Sequence, residues 1–384
     1  MGKDFLPKIT FDLATKIIEP SQTIWAVFPG VGRRFLRQFA EERVVFLDAP
    51  ALNLTPAVLA DDGLLRQHIA MSAAWEKFYQ KGESNPPSRN PSTYKVPRSN
   101  SFGAMVGNIR NVFVRMQPGD LVLTGGQSLY DPILIGEVAG KFDPKLTVRY
   151  HRYGREEIPA RRVRWLPVRR ERRFLSQGLS HLLSNRKAVI SIDDKLYGEE
   201  IYKFAYGDYV LGSGSRYVFP GPRYNNIARS LSPGIDLISY FVAAFHAAEI
   251  GELDKFSKLS IEKGAADYFE ADDLISFTVD FSSPGEYILQ SKRAAQALLV
   301  ALLVAATSST TLPYDEARGA EVTNSAAAAG HPADPQLVVI QENFKSIMDA
   351  VGAAKYNQLC VINKECQDGV GLKTGVKTKT ETAK

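Results

Sequence analysis

Residues able to do chemistry are concentrated in one run of this sequence. Between Arg149 and Arg173 there are ten arginines against three glutamates, with Tyr150, His151 and Tyr153 interleaved. Guanidinium groups grip phosphate oxygens in a bidentate fork and stack on flat rings, so arginine beside aromatic residues favours a polyanion that carries bases. On this reading Arg149, Arg152, Arg155, Arg169, Arg170, Arg172 and Arg173 contact a nucleic-acid backbone. The competing reading is a solvated charged face. Within the run, residues 160–166 alternate as a strand does: Arg162, Arg164 and Leu166 share one side, Val163 and Trp165 the other.

The elements that must position this run precede it. Residues 118–126 and 132–140 read as two apolar strands joined by a polar turn, by their β-branched content, glycine punctuation and length. Residues 24–28 and 43–47 read as earlier strands, 64–79 and 106–114 as helices, 175–183 as a later helix and 188–192 as a closing strand. Residues 82–101, rich in Pro, Ser and Asn, form a loop too long to be mere connection, a mobile flap or an insertion. Before all of these, Phe5, Ile9, Leu13 and Ile17 have the spacing of a helix face, which predicts a docking helix over residues 1–20.

A chain of 384 residues, 45% hydrophobic and 23% charged, has room for two domains and an ordinary soluble composition. The net charge of +5 is modest, so a nucleic-acid argument rests on where charge sits. Cys360 and Cys366 lie close together without a neighbouring His, which fits neither a disulfide framework nor zinc spacing; a reduced, cytoplasmic setting is expected. Residues 1–20 lack the apolar core of a signal peptide, and Leu6 argues against myristoylation at Gly2.

The series Gly119-Asp120-Leu121-Val122, Ile135-Gly136-Glu137-Val138-Ala139-Gly140, Arg161-x-Val163-x-Trp165-Leu166 and Leu175-Ser176 with Leu179, Leu182 and Leu183 resembles the N-terminal domain of Mrr-like restriction proteins. That domain belongs to the PUA-like group, with the EVE and YTH modules. The resemblance covers about residues 21–193; Pro159 stands where the family usually has His, and 82–101 is not in the common pattern. It implies an α+β protein whose residues 21–195 form a small PUA-like β-barrel with flanking helices. It also implies a sensor that holds a nucleobase, often a modified one. An unstacked base needs flat faces and donors at its edge. Trp25, Phe28 and Trp165 are candidates for the faces, and Arg161, Thr124 and Ser128 for the edge. The alternative for each tryptophan is barrel core.

Residues 196–352 read as a mixed, helix-rich α+β domain with a low-complexity, poorly ordered insertion at 308–335, and residues 353–384 as a flexible tail. Mrr-like proteins generally join the sensor to a PD-(D/E)xK nuclease, which implies Asp280, Gln290 and Lys292 as catalytic residues around Mg²⁺. No cofactor is expected unless that nuclease assembles, and catalysis is otherwise not expected. Residues 294–306 are almost continuously apolar, but a spanning helix needs about 20 residues, so a buried core helix is the better account and a membrane-acting effector the weaker one. His246, with no nearby Cys or acidic cluster, reads as structural. The expected partners are nucleic acid or a nucleotide-like ligand, with a second copy of the chain or a partner protein of an anti-phage system as further candidates.

Overall fold

The computed structural model describes residues 8–168, 170–185, 187–223, 231–280, 285–326 and 335–381. The chain is α+β and divides into two units, residues 21–205 and residues 1–20 with 206–384. The break falls inside the helix Asp194–Tyr206, ten residues past the boundary expected at 195.

Two strands open the chain, β1 (Lys8–Asp12) and β2 (Lys16–Ile18), where a docking helix was expected. Spacing of four satisfies both a helix and a strand; Phe11 decides between them. Ile9, Phe11 and Leu13 are all buried, a period of two.

Residues 21–205 contain β3 (Ile24–Val27), β4 (Val44–Phe46), β5 (Leu121–Gly125), β6 (Ile133–Val138), β7 (Thr147–Arg149), β8 (Glu157–Trp165) and β9 (Val189–Ile192). They form one sheet in the order β4-β8-β6-β5-β3-β9, with β7 added to β8. The path is open: among the described residues no pairing joins β4 to β9. Aromatic and branched side chains fill its core, including Phe35, Phe39, Phe46 and Tyr153. The helix Asp62–Lys81 packs there through Leu65 and Ile69, started by Asp61, whose carboxylate accepts from the N–H groups of Gly63 and Leu64. The 82–101 segment is tied down: Arg89 pairs with buried Glu156 at 2.5 Å and lies over the Trp75 ring at 4.5 Å.

Sheet packing is tight at Gly136 on β6. A Cβ there would lie 2.6 Å from Trp165 Cε3 and Val163 Cγ1, and 2.9 Å from the Arg164 carbonyl oxygen. Neither ladder backbone nor a packed indole yields easily, so Gly136→Ala is expected to lower unfolding free energy by about 3 kcal/mol in urea titrations. A loss under 1 kcal/mol would show that the β6–β8 seam is looser than described.

The other unit continues with β10 (Tyr209–Leu211), β11 (Gly214–Gly221), β12 (Leu274–Asp280), β13 (Gly285–Ser291), β14 (Glu321–Thr323) and β15 (Lys377–Glu381). One sheet runs β12-β13-β11-β10-β2, the other β14-β1-β15. The apolar stretch becomes the helix Gln296–Ala306, with all eleven residues buried against the helices Ser232–Glu249 and Pro335–Gly369. No helix among the described residues is long and apolar enough to cross a membrane.

Two expectations about order are corrected here. The 308–335 stretch contains the helix Tyr314–Arg318 and β14, while residues 327–334 lie outside the described residues. The expected tail is structured: the Pro335–Gly369 helix, broken at Gly352 (φ 67°), buries Tyr356, Leu359, Cys360 and Cys366. Its polar end then becomes β15 by pairing with β1. Alternating Lys and Thr carries little apolar surface, but a neighbouring strand satisfies its backbone.

Candidate nucleic-acid interface

Residues 126–132 between β5 and β6 form a tight turn held from inside. The Asp131 carboxylate accepts from Ser128 N–H at 2.8 Å, and Asp131 N–H donates to the Ser128 carbonyl at 3.2 Å. Residues 170–174 then run alongside: Ile133 N–H donates to the Arg170 carbonyl, Arg172 N–H to that of Asp131, and Arg173 N–H to that of Leu129, at 2.8–3.0 Å. The helix Gln177–Ser184 closes the group, capped by Ser176 Oγ, which accepts from Leu179 N–H.

Arg172 bolts the three segments together. Its guanidinium is buried and donates to the carbonyls of Gly126, Gln127 and Ser180, and to Ser184 Oγ. Burial lowers its pKa, partly offset by the Asp131 charge. Arg33 donates to the Leu183 carbonyl at 2.6 Å and lies 4.4 Å from the Phe28 ring; burial first, then the Arg172 charge, lowers its pKa too. Two guanidinium groups therefore hold the last turns of the same helix.

Outside this frame, large apolar side chains face solvent. Leu129, Tyr130 and Phe174 are 54%, 70% and 52% exposed. The Arg173 guanidinium lies 5.3 Å from the Tyr130 ring centroid and 4.9 Å from that of Phe174, with Arg170 at 6.0 Å from Phe174. Beside them is a cavity of about 520 Å³, with Leu129 and Leu175 as apolar lining and Gln127, Gln177 and His181 as polar lining. Exposed rings with cations stacked on them offer a sequence-tolerant platform for bases and a counter-charge for phosphate.

The residues singled out from sequence divide sharply. Trp25 is buried and its Nε1–H donates to Asp120 Oδ2 at 2.9 Å; Trp165 is half-buried and donates to the Phe39 carbonyl at 2.7 Å. Thr124 is buried, and Arg161 is buried with Nη2 on the Met116 carbonyl. Trp25, Thr124 and Arg161 are thus buried in the sheet, and the Trp165 indole is anchored by its hydrogen bond to Phe39. Ser128 is in the exposed turn and Phe28 is half-buried under Arg33.

Among the arginines, Arg149 pairs with Glu157 and Arg173 with Glu171, while Arg152, Arg155 and Arg170 are exposed. Arg172 is engaged by backbone carbonyls and is not available to phosphate. Arg169 lies outside the described residues. Tyr130 and Phe174 were missed; their signal was an apolar Leu129-Tyr130 pair inside a polar turn and a phenylalanine directly after two arginines.

Asp120 turns out to be a structural centre. Its Oδ1 accepts from Thr23 N–H, and its Oδ2 from Gln117 N–H and Trp25 Nε1–H. Asp120→Ala leaves one buried and two part-buried donors without their carboxylate, so a loss of about 2–3 kcal/mol in chemical unfolding is expected. A loss under 1 kcal/mol would mean that water replaces the carboxylate.

The implied nuclease residues do not converge. Asp280 pairs with Glu286, four residues before Gln290 on β13, which separates the two by about 13 Å along the ladder. Lys292 lies beyond β13, its N–H on the Asp273 carbonyl and its Nζ on the Asp272 carbonyl. Asp280 is therefore at one end of the β12–β13 pair and Lys292 lies past the other. Among the described residues no group of three or more His, Cys, Asp or Glu is arranged to hold a metal ion. His246, read from sequence as structural, meets an acidic residue in space: its Nδ1 is 2.8 Å from Asp273 Oδ2.

No known protein family, curated protein or solved structure matches this chain. The site is therefore read from its own geometry.

Proposed function

We propose that residues 21–205 sense nucleic acid or a nucleotide-like ligand through the Tyr130–Arg173–Phe174 face. The observation that carries this reading is the Arg173 guanidinium, which lines a cavity and lies within 5.3 Å of two rings that are each more than half exposed. Burying apolar rings is the ordinary outcome of folding, and a contiguous exposed patch marks a surface that meets a partner. Charge and flat apolar area together select a partner that is both anionic and aromatic, which describes nucleic acid and nucleotides.

A PUA-like identity for residues 21–195 is part of this proposal and rests on the sequence resemblance alone; the sheet is open rather than closed into a barrel. Sensing of foreign nucleic acid in an anti-phage or restriction setting is the role this reading favours, with residues 206–384 as the responding unit.

The test is fluorescence anisotropy with a labelled single-stranded oligonucleotide across a salt series. Arg170→Ala with Arg173→Ala is expected to weaken binding for all sequences alike, and to reduce the slope of log K against log salt by about 0.7 per arginine removed. An unchanged slope would remove both arginines from the interface.

A further inference from the structure

The helix Ser232–Glu249 brings His246 against Asp273, which ends the turn leading into β12. His246 Nδ1 lies 2.8 Å from Asp273 Oδ2, and Arg293 Nη2 lies 3.3 Å from Asp273 Oδ1. The main chain at Asp273 is fixed as well: Lys292 N–H and Ser291 Oγ donate to its carbonyl, at 3.0 and 3.4 Å. An ionised carboxylate can only accept, so in the neutral ring the hydrogen sits on Nδ1 and Nε2 keeps its lone pair. His246 lines a cavity of about 420 Å³ together with Asp267, Tyr268, Phe269 and Glu270. A base oriented by a third group and bordering a cavity has two of the features that general-base catalysis uses.

We propose that His246, positioned by Asp273, is a general base that activates water for hydrolysis of small neutral or cationic acyl esters in this cavity. None of the described lining residues is Ser, Thr or Cys, so water supplies the attacking oxygen. The lining charges select the substrate class. Glu252 is matched by Lys255 at 2.5 Å, and Asp267 and Glu270 add two further negative charges that repel phosphate and carboxylate substrates. Tyr268 and Phe269 give the acyl group an apolar wall.

In the step itself, His246 Nε2 takes a proton from water while the water oxygen bonds to the acyl carbon. The bond from that carbon to the leaving oxygen then breaks, and the imidazolium returns the proton to the leaving alcohol. One ester and one water become one acid and one alcohol, with no other reactant. The site belongs to residues 206–384 and stands independently of the nucleic-acid reading of residues 21–205.

The experiment uses the full chain and p-nitrophenyl acetate, following release of p-nitrophenol. His246→Asn keeps an N–H for Asp273 and removes the base; kcat is expected to fall about 100-fold with the thermal midpoint unchanged. Asp273→Asn is expected to lower kcat by a similar factor with KM unchanged, and Asp273→Glu to recover part of it. A purely structural role for Asp273 would instead move the thermal midpoint and leave no split between kcat and KM. Equal rates for the wild type and His246→Asn overturn the proposal.

Discussion

Replacing Tyr130 and Phe174 together by alanine is expected to weaken binding of a single-stranded oligonucleotide by about 2–4 kcal/mol, thirtyfold or more, since each base stacked on an aromatic ring contributes about 1–3 kcal/mol. The rings project from a turn and a short helical segment that are held by main-chain bonds, Arg172 N–H to Asp131 and Arg173 N–H to Leu129. Removing them therefore leaves the frame intact, and the unfolding midpoint should stay within experimental error. The same substitution at Trp25 or Trp165 should behave oppositely, because each indole donates a hydrogen bond inside the sheet. Anisotropy titrations beside thermal unfolding separate the two classes. An affinity loss below threefold in the Tyr130/Phe174 double variant would mean that the exposed rings are not where bases stack.

The second large effect concerns stability and pH. Asp208 precedes β10 and is half-buried, with Oδ1 accepting from Val218 N–H at 2.8 Å. Burial raises its pKa from 3.8 to about 7; the Val218 bond and the Arg216 charge pull it down, and the Glu286 charge pushes it up. Between about pH 4 and pH 7 the folded chain holds this proton and the unfolded chain has released it. Folding takes up a proton across that window, so stability is greatest at its acid end and falls as pH rises. The fall is on the order of 1 kcal/mol per pH unit across that window, and it levels off above about pH 7.

Asp208→Asn keeps an oxygen for Val218 N–H and removes the titration. Urea unfolding at pH 5 to 8 should show the wild type losing stability with rising pH relative to this variant, and the variant more stable at pH 8. Parallel stability curves for the two proteins would contradict the assignment to Asp208.

Local patterns in the sequence located the elements whose packing is local. The runs at 118–126 and 132–140 became β5 and β6, and the apolar stretch at 294–306 became the buried helix Gln296–Ala306. What escaped was non-local. β1 takes its partners from β14 and β15, more than 300 residues away, through pairs such as Thr10 with Glu321 and Ile9 with Thr380. Nothing near residue 10 can signal such pairing.

The candidate site escaped for a related reason. Side-chain type marked Trp25, Trp165 and Arg161 as ligand contacts, but only the three-dimensional arrangement shows which strand faces the helices cover. Arg172 looks like its neighbours in sequence, yet its side chain meets the Gly126, Gln127 and Ser180 carbonyls and is buried. His246 and Asp273 are 27 residues apart and meet only because a helix and a turn pack together.

Photo-cross-linking addresses the aromatic–arginine face most directly. A single-stranded oligonucleotide carrying 5-bromouridine, bound to the full chain and irradiated, should attach to peptides containing Tyr130 and Phe174, with the yield falling as salt rises. Attachment confined to other peptides under conditions of saturated binding would contradict the account.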